Sequence, residues 1–235
     1  RQADKYNVPR ICFVNKMDRV GANFVRTVEM IRDRLKSNPV PIQLPLGSED
    51  EFRGVIDLVE QEAILFDKNQ SKEGGHIPIP EDYRDESQQF RNSMIEKVAE
   101  ADDALLEKYL VEAIISSEDI RSALRRATIA NKIVPVVCGS ALKNWAIPPL
   151  ADAIMYYLPS PLDIPSISGI DPKSKEEVMR EARTDSPFSA LVFKVMTDPY
   201  AGRLVYFRVY SGKIKSGGNV SNTTKDSRER MGRML

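Results

Sequence analysis

Two short apolar runs that lie far apart in the sequence constrain the fold more than any other feature. The first is PRICFVNK at residues 9–16, and the second extends from Ile133 to Cys138. Unbroken apolar runs of this length are typical of strands buried on both faces of a parallel sheet. Each run is followed by apolar residues at helical spacing, and two such strand–loop–helix units predict an open α/β sheet. The helical residues are Phe24, Val28, Ile31 and Leu35 after the first run, and Leu150, Ile154, Tyr157 and Leu158 after the second, where Pro148 or Pro149 lies in the first turn.

The stretch between the two units has a different character and predicts an α+β insertion. Three short strands are expected at PIQLPLG, FRGVIDLV and AILFD, and residues 69–80 are expected to form a loop. Two helical patterns follow. Ser116 or Ser117 is expected to cap the second, because Glu118 and Asp119 favour its first turn. The inward-facing residues are Met94, Val98, Ala101 and Leu105 in the first pattern and Ile120, Leu124 and Ala127 in the second.

The chain changes again after the last helical pattern. Residues 160–185 are rich in proline, serine and charge, which predicts a linker. Residues 186–235 contain the β-rich runs FSALVFKVMTD, GRLVYFRVYSG and KIKSGGNVSNTT, and a turn at residues 198–201 joins the first two. Closely spaced runs of this kind indicate an antiparallel barrel, of which these residues would form the start.

Charge and composition exclude several classes of function. Thirty-four basic residues balance 34 acidic residues in a chain of 235, so no overall field favours nucleic acid or a membrane. Cys12 and Cys138 lie in apolar runs and are expected to be reduced core residues. Since His76 is the sole histidine, a metal site built from His and Cys is not expected. No apolar run approaches the ~20 residues of a membrane span and no signal peptide is visible, so we expect a cytoplasmic protein without membrane contact.

The residues Asn15-Lys16-Met17-Asp18 directly follow the first predicted strand. Ligands of open α/β sheets bind at the carboxyl ends of strands. The carboxylate of Asp18 can accept two hydrogen bonds from guanine, from N1–H and the exocyclic amine, and adenine offers no such pair of donors. Asn15 can bridge the base and neighbouring backbone, the stem of Lys16 can lie along the ring, and Met17 is expected to face the core. The alternative for so short a pattern is a solvated strand end.

A second candidate element, Gly139-Ser140-Ala141, ends the other predicted strand. Its backbone N–H groups could donate to guanine O6, and the Ser140 hydroxyl could support Asp18. The sequence from Asp18 to Gly21 also fits the Asp-x-x-Gly pattern that senses a γ-phosphate in GTPases. The base-reading role suits Asp18 better, because no Gly-x-x-x-x-Gly-Lys-Ser/Thr phosphate loop occurs in the sequence.

In combination, these residues resemble translation elongation factor G. The resemblance rests on VPRICFVNKMDRVGANF, PVPIQLPLGSEDEFRGVIDLV, VPVVCGSALKN, YYLPSPLDIP, DPYAGRLVYFRVYSGKIKSGGNV and ERMGRML, and it runs in order over the whole chain. It implies part of a P-loop-type GTPase domain with an α+β insertion, followed by the start of an antiparallel β-barrel. The implied divisions are a first part of the GTPase domain at 1–39, an insertion like the family's G′ subdomain at 40–132, the last part of the GTPase domain at 133–159, the linker at 160–185 and an incomplete barrel domain II at 186–235.

The resemblance implies a parent protein that binds and hydrolyses GTP to drive movement of tRNA and mRNA on the ribosome. The residues implied for guanine binding are Asn15, Lys16, Met17 and Asp18 in the first loop and Ser140, Ala141 and Leu142 in the second. The insertion would face the large-subunit stalk protein, and the barrel would contact ribosomal RNA of the small subunit. The ligand would be GTP or GDP, Mg²⁺ would be held by residues of the parent outside this chain, and a monomer is expected.

The family's phosphate loop, its Mg²⁺-binding switch and its catalytic histidine would lie before Arg1, and its later domains after Leu235. The first residues, RQADKYNVPR, lack an initiator Met, and we interpret the chain as an internal fragment. No catalytic residue and no metal ligand are therefore expected in it, and His76 is expected to be solvated in a loop. Since phosphate and Mg²⁺ contacts dominate nucleotide affinity, the chain alone is expected not to hydrolyse GTP and to bind it weakly or not at all.

Two alternatives stay open at the level of sequence. A related translational GTPase, such as a release factor, a ribosomal protection protein or a recycling paralogue, shares most of these motifs. A non-catalytic ribosome-binding module would also carry the base-reading residues without a phosphate loop. A candidate RNA-binding patch, for which a solvated strand end is the alternative, consists of Lys225, Arg228, Arg230 and Arg233.

Overall fold

A computed structural model describes residues 2–67, 72–163, 166–171, 174–200 and 202–235. The chain divides into two compact units, Arg1–Leu158 and Pro159–Leu235. The helices of the first unit are α1 (Gln2–Lys5), α2 (Phe24–Leu35), α3 (Glu81–Ala101), α4 (Asp103–Leu110), α5 (Ser117–Ile129) and α6 (Ile147–Tyr157), with a short 3-10 helix at Glu49–Glu51. Its strands are β1 (Cys12–Val14), β2 (Pro39–Pro41), β3 (Gln43–Leu46), β4 (Gly54–Asp57), β5 (Glu62–Asp67), β6 (Lys72–Pro78) and β7 (Val134–Cys138).

A three-stranded parallel sheet in the order β1–β7–β2 lies in the first unit. Cys12 pairs with Val136, and Pro39 pairs with Val134, so β7 is the central strand. Every residue of β7 is buried, which explains its unbroken apolar sequence. The two predicted strands are confirmed, and the structure makes them neighbours. Because β2 belongs to this sheet, the boundary expected between residues 39 and 40 falls inside a strand.

Helix α2 confirms the helical pattern that follows the first apolar run. Its N-cap is Asn23, whose side-chain oxygen accepts a hydrogen bond of 2.8 Å from the backbone N–H of Arg26. Phe24 and Val28 are buried, whereas Leu35, expected on the same face, is exposed in the last turn of the helix. The helix ends where Lys36 adopts a left-handed conformation.

The insertion begins with a four-stranded antiparallel sheet in the order β3–β4–β5–β6. The three predicted strands are confirmed as β3, β4 and β5. The prediction of a loop over residues 69–80 is wrong for residues 72–78, which form β6 and pair with β5. Two glycines and several polar residues conceal this strand in the sequence, because its backbone hydrogen bonds to β5 do not depend on apolar side chains. Residues 69–71 lie outside the described part of the chain.

Three helices complete the insertion. The face predicted from Met94 to Leu105 is buried, but it belongs to two helices, because Asp102 is extended and its carboxylate caps α4 through the N–H of Leu105 at 3.0 Å. Ser116 is the N-cap of α5, and it forms a capping box with Asp119. The apolar residues of these helices, of the antiparallel sheet and of the parallel sheet form one hydrophobic cluster.

Helix α6 departs from the expected orientation. It begins after Ala146, which adopts a left-handed conformation, and prolines occupy its first turn as predicted. The buried residues of α6 are Pro149, Ala153 and Tyr157, whereas Ile154 is 46% exposed. The prediction that Ile154 faces inward is therefore wrong. The insertion helps to set this orientation, since Arg125 of α5 donates hydrogen bonds to the carbonyls of Tyr156 and Leu158 at the end of α6.

The second unit consists of antiparallel strand pairs. They are β8 (Ile167–Ile170) with β9 (Glu177–Arg180), β10 (Ser189–Asp198) with β11 (Gly202–Ser211), and β12 (Asn219–Asn222) with β13 (Ser227–Arg230). The three β-rich runs predicted after residue 186 are confirmed. The linker prediction for residues 160–185 is incomplete, because β8 and β9 form a hairpin inside it. Four ladder pairs hold this hairpin, although its two strands carry only four apolar side chains, those of Ile167, Ile170, Val178 and Met179.

Candidate functional site

The loops after β1 and β7 lie side by side because these strands are parallel neighbours. Val14 and Cys138, the last residues of the two strands, are paired. The ladder continues past the strands, since Gly139 donates to the carbonyl of Val14 at 3.0 Å and Met17 donates to the carbonyl of Gly139 at 3.1 Å. The two sequence elements selected as candidates therefore meet at the carboxyl edge of the sheet, where ligands of open α/β sheets bind.

Asn15 connects the two loops through its side chain. Its Oδ1 accepts a hydrogen bond of 2.8 Å from the backbone N–H of Lys16 and one of 3.0 Å from that of Ala141. Lys16 is exposed and has a φ of 65°, a left-handed conformation that turns the chain sharply after the strand. Asn15 therefore fixes the geometry of its own turn and ties it to the loop after β7.

Asp18 is the buried carboxylate of the candidate site. Its side chain is 5% exposed, and Oδ2 lies 3.2 Å from the Nζ of Lys143. Burial alone would raise the pKa of Asp18, but hydrogen bonds from the Ser140 hydroxyl and from Lys143 bring this pKa below its ordinary value. The carboxylate is therefore ionised at neutral pH, and both of its side-chain partners belong to the loop after β7.

The remaining predicted site residues differ in their surroundings. Met17 is 2% exposed and faces the core, as expected, while Ser140 is buried beneath the loop. Ala141 is exposed, and the side chain of Leu142 is 84% exposed. The backbone N–H of Ala141 donates to Oδ1 of Asn15. By contrast, the backbone N–H of Leu142 donates no hydrogen bond to any of the described residues.

Gly139 permits the close packing at the start of the second loop. A Cβ atom at this position would lie 2.5 Å from the carbonyl oxygen of Trp145 and 2.9 Å from the ring of Phe13. Real Cβ atoms do not approach backbone this closely, so a larger residue would push the loop away from the sheet. The glycine is therefore required by close approach, and its φ is not in the left-handed region.

Comparison with known proteins identifies the family. A family model described as "Elongation factor Tu GTP binding domain" matches residues 1–160. The chain belongs to this family. A second model, "Elongation factor G domain 2", matches residues 187–235, and the order of the two domains confirms the resemblance to translation elongation factor G.

A solved structure supports the same assignment. The chain resembles a crystal structure of a protein from Thermus thermophilus, with a TM-score of 0.76, 27% sequence identity and coverage of 97% of this chain. The match covers 31% of the Thermus chain, so the present chain spans about a third of its length.

Two residues of this GTP-binding domain were not selected from the sequence. Lys143 contacts Asp18, and its Nζ lies 4.4 Å from the ring centroid of Trp145. Ser140 and Trp145 form an isolated antiparallel bridge that closes the loop after β7. Trp145 is the sole tryptophan of the chain, and that rarity was the one signal in the sequence that pointed to it.

Gly21 of the Asp-x-x-Gly pattern and His76 make contacts away from Asp18 in the GTP-binding domain. The N–H of Gly21, at the end of the Asp-x-x-Gly pattern, donates to Oε1 of Glu49 at 2.7 Å. His76 lies on β6, where Nδ1 is 2.5 Å from Oε1 of Glu62, and half of its side chain is exposed. Across the described residues, no group of three or more His, Cys, Asp or Glu side chains could hold a metal ion, and no helix is long and apolar enough to span a membrane.

Proposed function

We propose that the loops after β1 and β7 together bind the guanine base of GTP or GDP. The observation that carries this proposal is the buried, ionised carboxylate of Asp18, which lies between Ser140 and Lys143 at the edge of a parallel sheet. Two donors of guanine, N1–H and the exocyclic amine, suit this acceptor. A base without these donors would leave the accepting positions of the carboxylate that face the base unfilled, which is costly.

The other predicted residues have supporting roles in this proposal. Asn15 holds the two loops together, and the exposed stem of Lys16 covers one face of the ring. Met17 contributes by anchoring the loop in the core. The base O6 accepts from the backbone N–H of Leu142, since the N–H of Ala141 already donates to Asn15. The side chain of Leu142 has no part in recognition, because it points into solvent.

We further propose that these residues act within a longer GTPase of the elongation factor G type, a ribosomal translocase. The sequence holds no phosphate loop, and the described residues hold no cluster that suits Mg²⁺. Phosphate and Mg²⁺ contacts dominate the affinity of such enzymes for nucleotide. The chain alone is therefore inactive in GTP hydrolysis, and other parts of the full-length protein supply the phosphate and Mg²⁺ contacts.

We propose one partner for the insertion and another for the barrel domain. The insertion presents exposed apolar side chains at the end of α4, namely Leu110 and Val111, and Ile114 beyond it, which suit a protein partner such as the large-subunit stalk protein. Arg228 and Arg230 on β13 are exposed and suit ribosomal RNA. We place the full-length protein in the cytoplasm as a monomer that binds the ribosome.

The experiment that tests base recognition is a set of competition titrations of the full-length protein with GDP, ADP and XDP at one Mg²⁺ concentration. All three ligands share the diphosphate, so differences report the base. We expect GDP to bind at least about a hundredfold more tightly than ADP or XDP, because a site built to bind donors rejects a base that lacks them. Equal affinity for GDP and ADP would contradict guanine recognition.

A second experiment addresses catalysis. We expect the full-length protein to hydrolyse GTP faster when ribosomes are added, and the chain Arg1–Leu235 to show no turnover above a buffer blank. Turnover by the isolated chain would contradict the proposal that other parts of the protein supply the phosphate contacts.

A further inference from the structure

An aromatic cluster links the insertion to the loop after β7. Phe66 of β5 stacks on Trp145, with ring centroids 5.8 Å apart and an interplanar angle of 19°. Phe52, which is fully buried just before β4, lies 6.2 Å from Trp145 and 5.4 Å from Phe66. Such ring pairs add to the stability that burial alone provides. The insertion therefore supports the aromatic side chain that closes the candidate base-binding loop.

Trp145 in turn contacts the groups that hold the base-reading carboxylate. Its backbone exchanges two hydrogen bonds with Ser140, of 3.1 and 3.0 Å, and Ser140 donates to Asp18. Its ring lies under the Nζ of Lys143, which contacts Asp18 at 3.2 Å. Both side-chain partners of the carboxylate thus contact Trp145, and Trp145 stacks on Phe66 and also packs near Phe52.

The hydrogen-bonding capacity of Asp18 explains why this support matters. An ionised carboxylate can accept about four hydrogen bonds. Ser140, Lys143 and the backbone N–H of Asp18 itself already donate to this carboxylate, so only part of its accepting capacity remains for the base. If Ser140 or Lys143 moved, the carboxylate would rotate or lose its counter-charge, and the positions left for the base would no longer be defined.

We infer that Phe66, on the insertion, is a positioning residue for guanine recognition that acts through Trp145 on Lys143 and Ser140. This inference rests on the proposed function of Asp18. It gives the insertion a role inside the nucleotide site that is separate from any partner it binds. The insertion also contacts the loop after β1, where Oε1 of Glu49 accepts a hydrogen bond from the backbone N–H of Gly21.

The experiment compares Phe66→Leu with Phe90→Leu in the full-length protein. Both phenylalanines are partly buried, belong to the insertion and pack against the hydrophobic cluster. Phe90 instead lies on α3 beside a cavity of about 170 Å³ that Val25 and Val28 of α2 also line. The measured quantities are the dissociation constants of GDP and XDP and the midpoint of thermal unfolding, with Phe66→Trp as the conservative variant.

We expect Phe66→Leu to weaken GDP binding about two- to tenfold, the range of a stacked aromatic pair, and to lower the GDP/XDP preference by a similar factor. XDP gains less from an oriented carboxylate, because it keeps the N1–H donor but presents a carbonyl where guanine presents the exocyclic amine. Phe90→Leu is expected to lower the unfolding midpoint without changing the preference, and Phe66→Trp to retain the preference.

Two outcomes would contradict the inference, and they are distinguishable. If the unmodified protein does not prefer GDP to XDP, the proposed function fails and the inference fails with it. If the unmodified protein prefers GDP but Phe66→Leu leaves that preference unchanged, or changes it no more than Phe90→Leu does, Phe66 is a core residue only and the base site stands without it.

Discussion

The loop after β1 contributes the side chains of Asn15 and Asp18 to the candidate site, whereas the loop after β7 contributes backbone, packing and the Ser140 and Lys143 side chains that support Asp18. In the first loop, Oδ1 of Asn15 ties the two loops together, and the carboxylate of Asp18 is the proposed acceptor for the base. In the second loop, the side chain of Leu142 is solvated, and Gly139 and Trp145 serve to hold the loop in place. We therefore propose that the first loop supplies the acceptor that reads the base, and that the second loop holds this acceptor in place.

This difference teaches which substitutions should alter specificity and which should alter stability. Replacing a side chain of the first loop changes the donors and acceptors that the base meets. Replacing a residue of the second loop acts mainly through backbone position, so its effect depends on steric fit rather than on polarity. Four substitutions test this division, with effects that decrease from one to the next.

The largest effect is expected for Asp18→Asn. The amide would offer a donor to the C2 carbonyl of xanthine and would lose an acceptor for guanine. We expect the preference for GDP over XDP to fall by at least about a hundredfold and to reverse, since the site then rejects the amine of guanine. Competition titrations on the full-length protein measure this change, and an unaltered preference would mean that Asp18 does not read the base.

A large effect of a different kind is expected for Gly139→Ala. The added Cβ would meet the Trp145 carbonyl oxygen at 2.5 Å, so the loop must shift. Overpacking of this kind lowers the free energy of unfolding by about 1–3 kcal/mol, measurable by chemical denaturation. Gly169→Ala is the matched control, because a Cβ there meets nothing within 4 Å. Equal effects of the two substitutions would show that the loop after β7 is not tightly packed.

A smaller effect is expected for Asn15→Ala. The substitution removes an acceptor that joins the two loops through the N–H of Ala141. Loss of such a bond between exposed groups should weaken GDP binding about two- to tenfold, with the preference for GDP over XDP largely kept. Asn92→Ala, which removes an exposed amide on α3, is the control. Indistinguishable affinities for the two variants would show that the tether is not needed.

The smallest effect is expected for Leu142→Ala. Because the side chain is solvated and the backbone N–H is retained, GDP affinity should change less than about twofold. A loss of tenfold or more would show that the leucine side chain contacts the base. The second loop would then read chemistry through a side chain, and the division between the loops would be wrong.

The sequence predicted the parts of this molecule in which side-chain chemistry and periodicity agree. The runs that became β1 and β7 were identified, and the cap of α5 was narrowed to Ser116 or Ser117, of which the structure shows Ser116. Strand β6 was missed because its pairing uses backbone groups. The exposure of Ile154 was missed because contacts from a distant helix set the orientation of α6. Neither cause leaves a local pattern.

The same reasoning explains the incomplete view of the candidate site. Asp18 was selected as a candidate because a four-residue pattern suggests its chemistry, and its role stays a prediction. Lys143 and Trp145 were missed because their roles depend on a fold that brings the insertion against the loop after β7. Such contacts join residues far apart in the chain, and one sequence carries no signal for them. The hydrogen bond from the Ala141 N–H to Asn15 could likewise be seen only in the three-dimensional structure.

The most direct test of the account is a crystal structure of the full-length protein bound to GDP. We predict that guanine N1 and the exocyclic amine lie within hydrogen-bond distance of the Asp18 carboxylate, and that O6 lies within hydrogen-bond distance of the Leu142 backbone N–H. We also predict that Lys143 keeps its contact with Asp18. A base bound away from both loops, with Asp18 still contacting only Ser140 and Lys143, would contradict the claim that these loops form one guanine site.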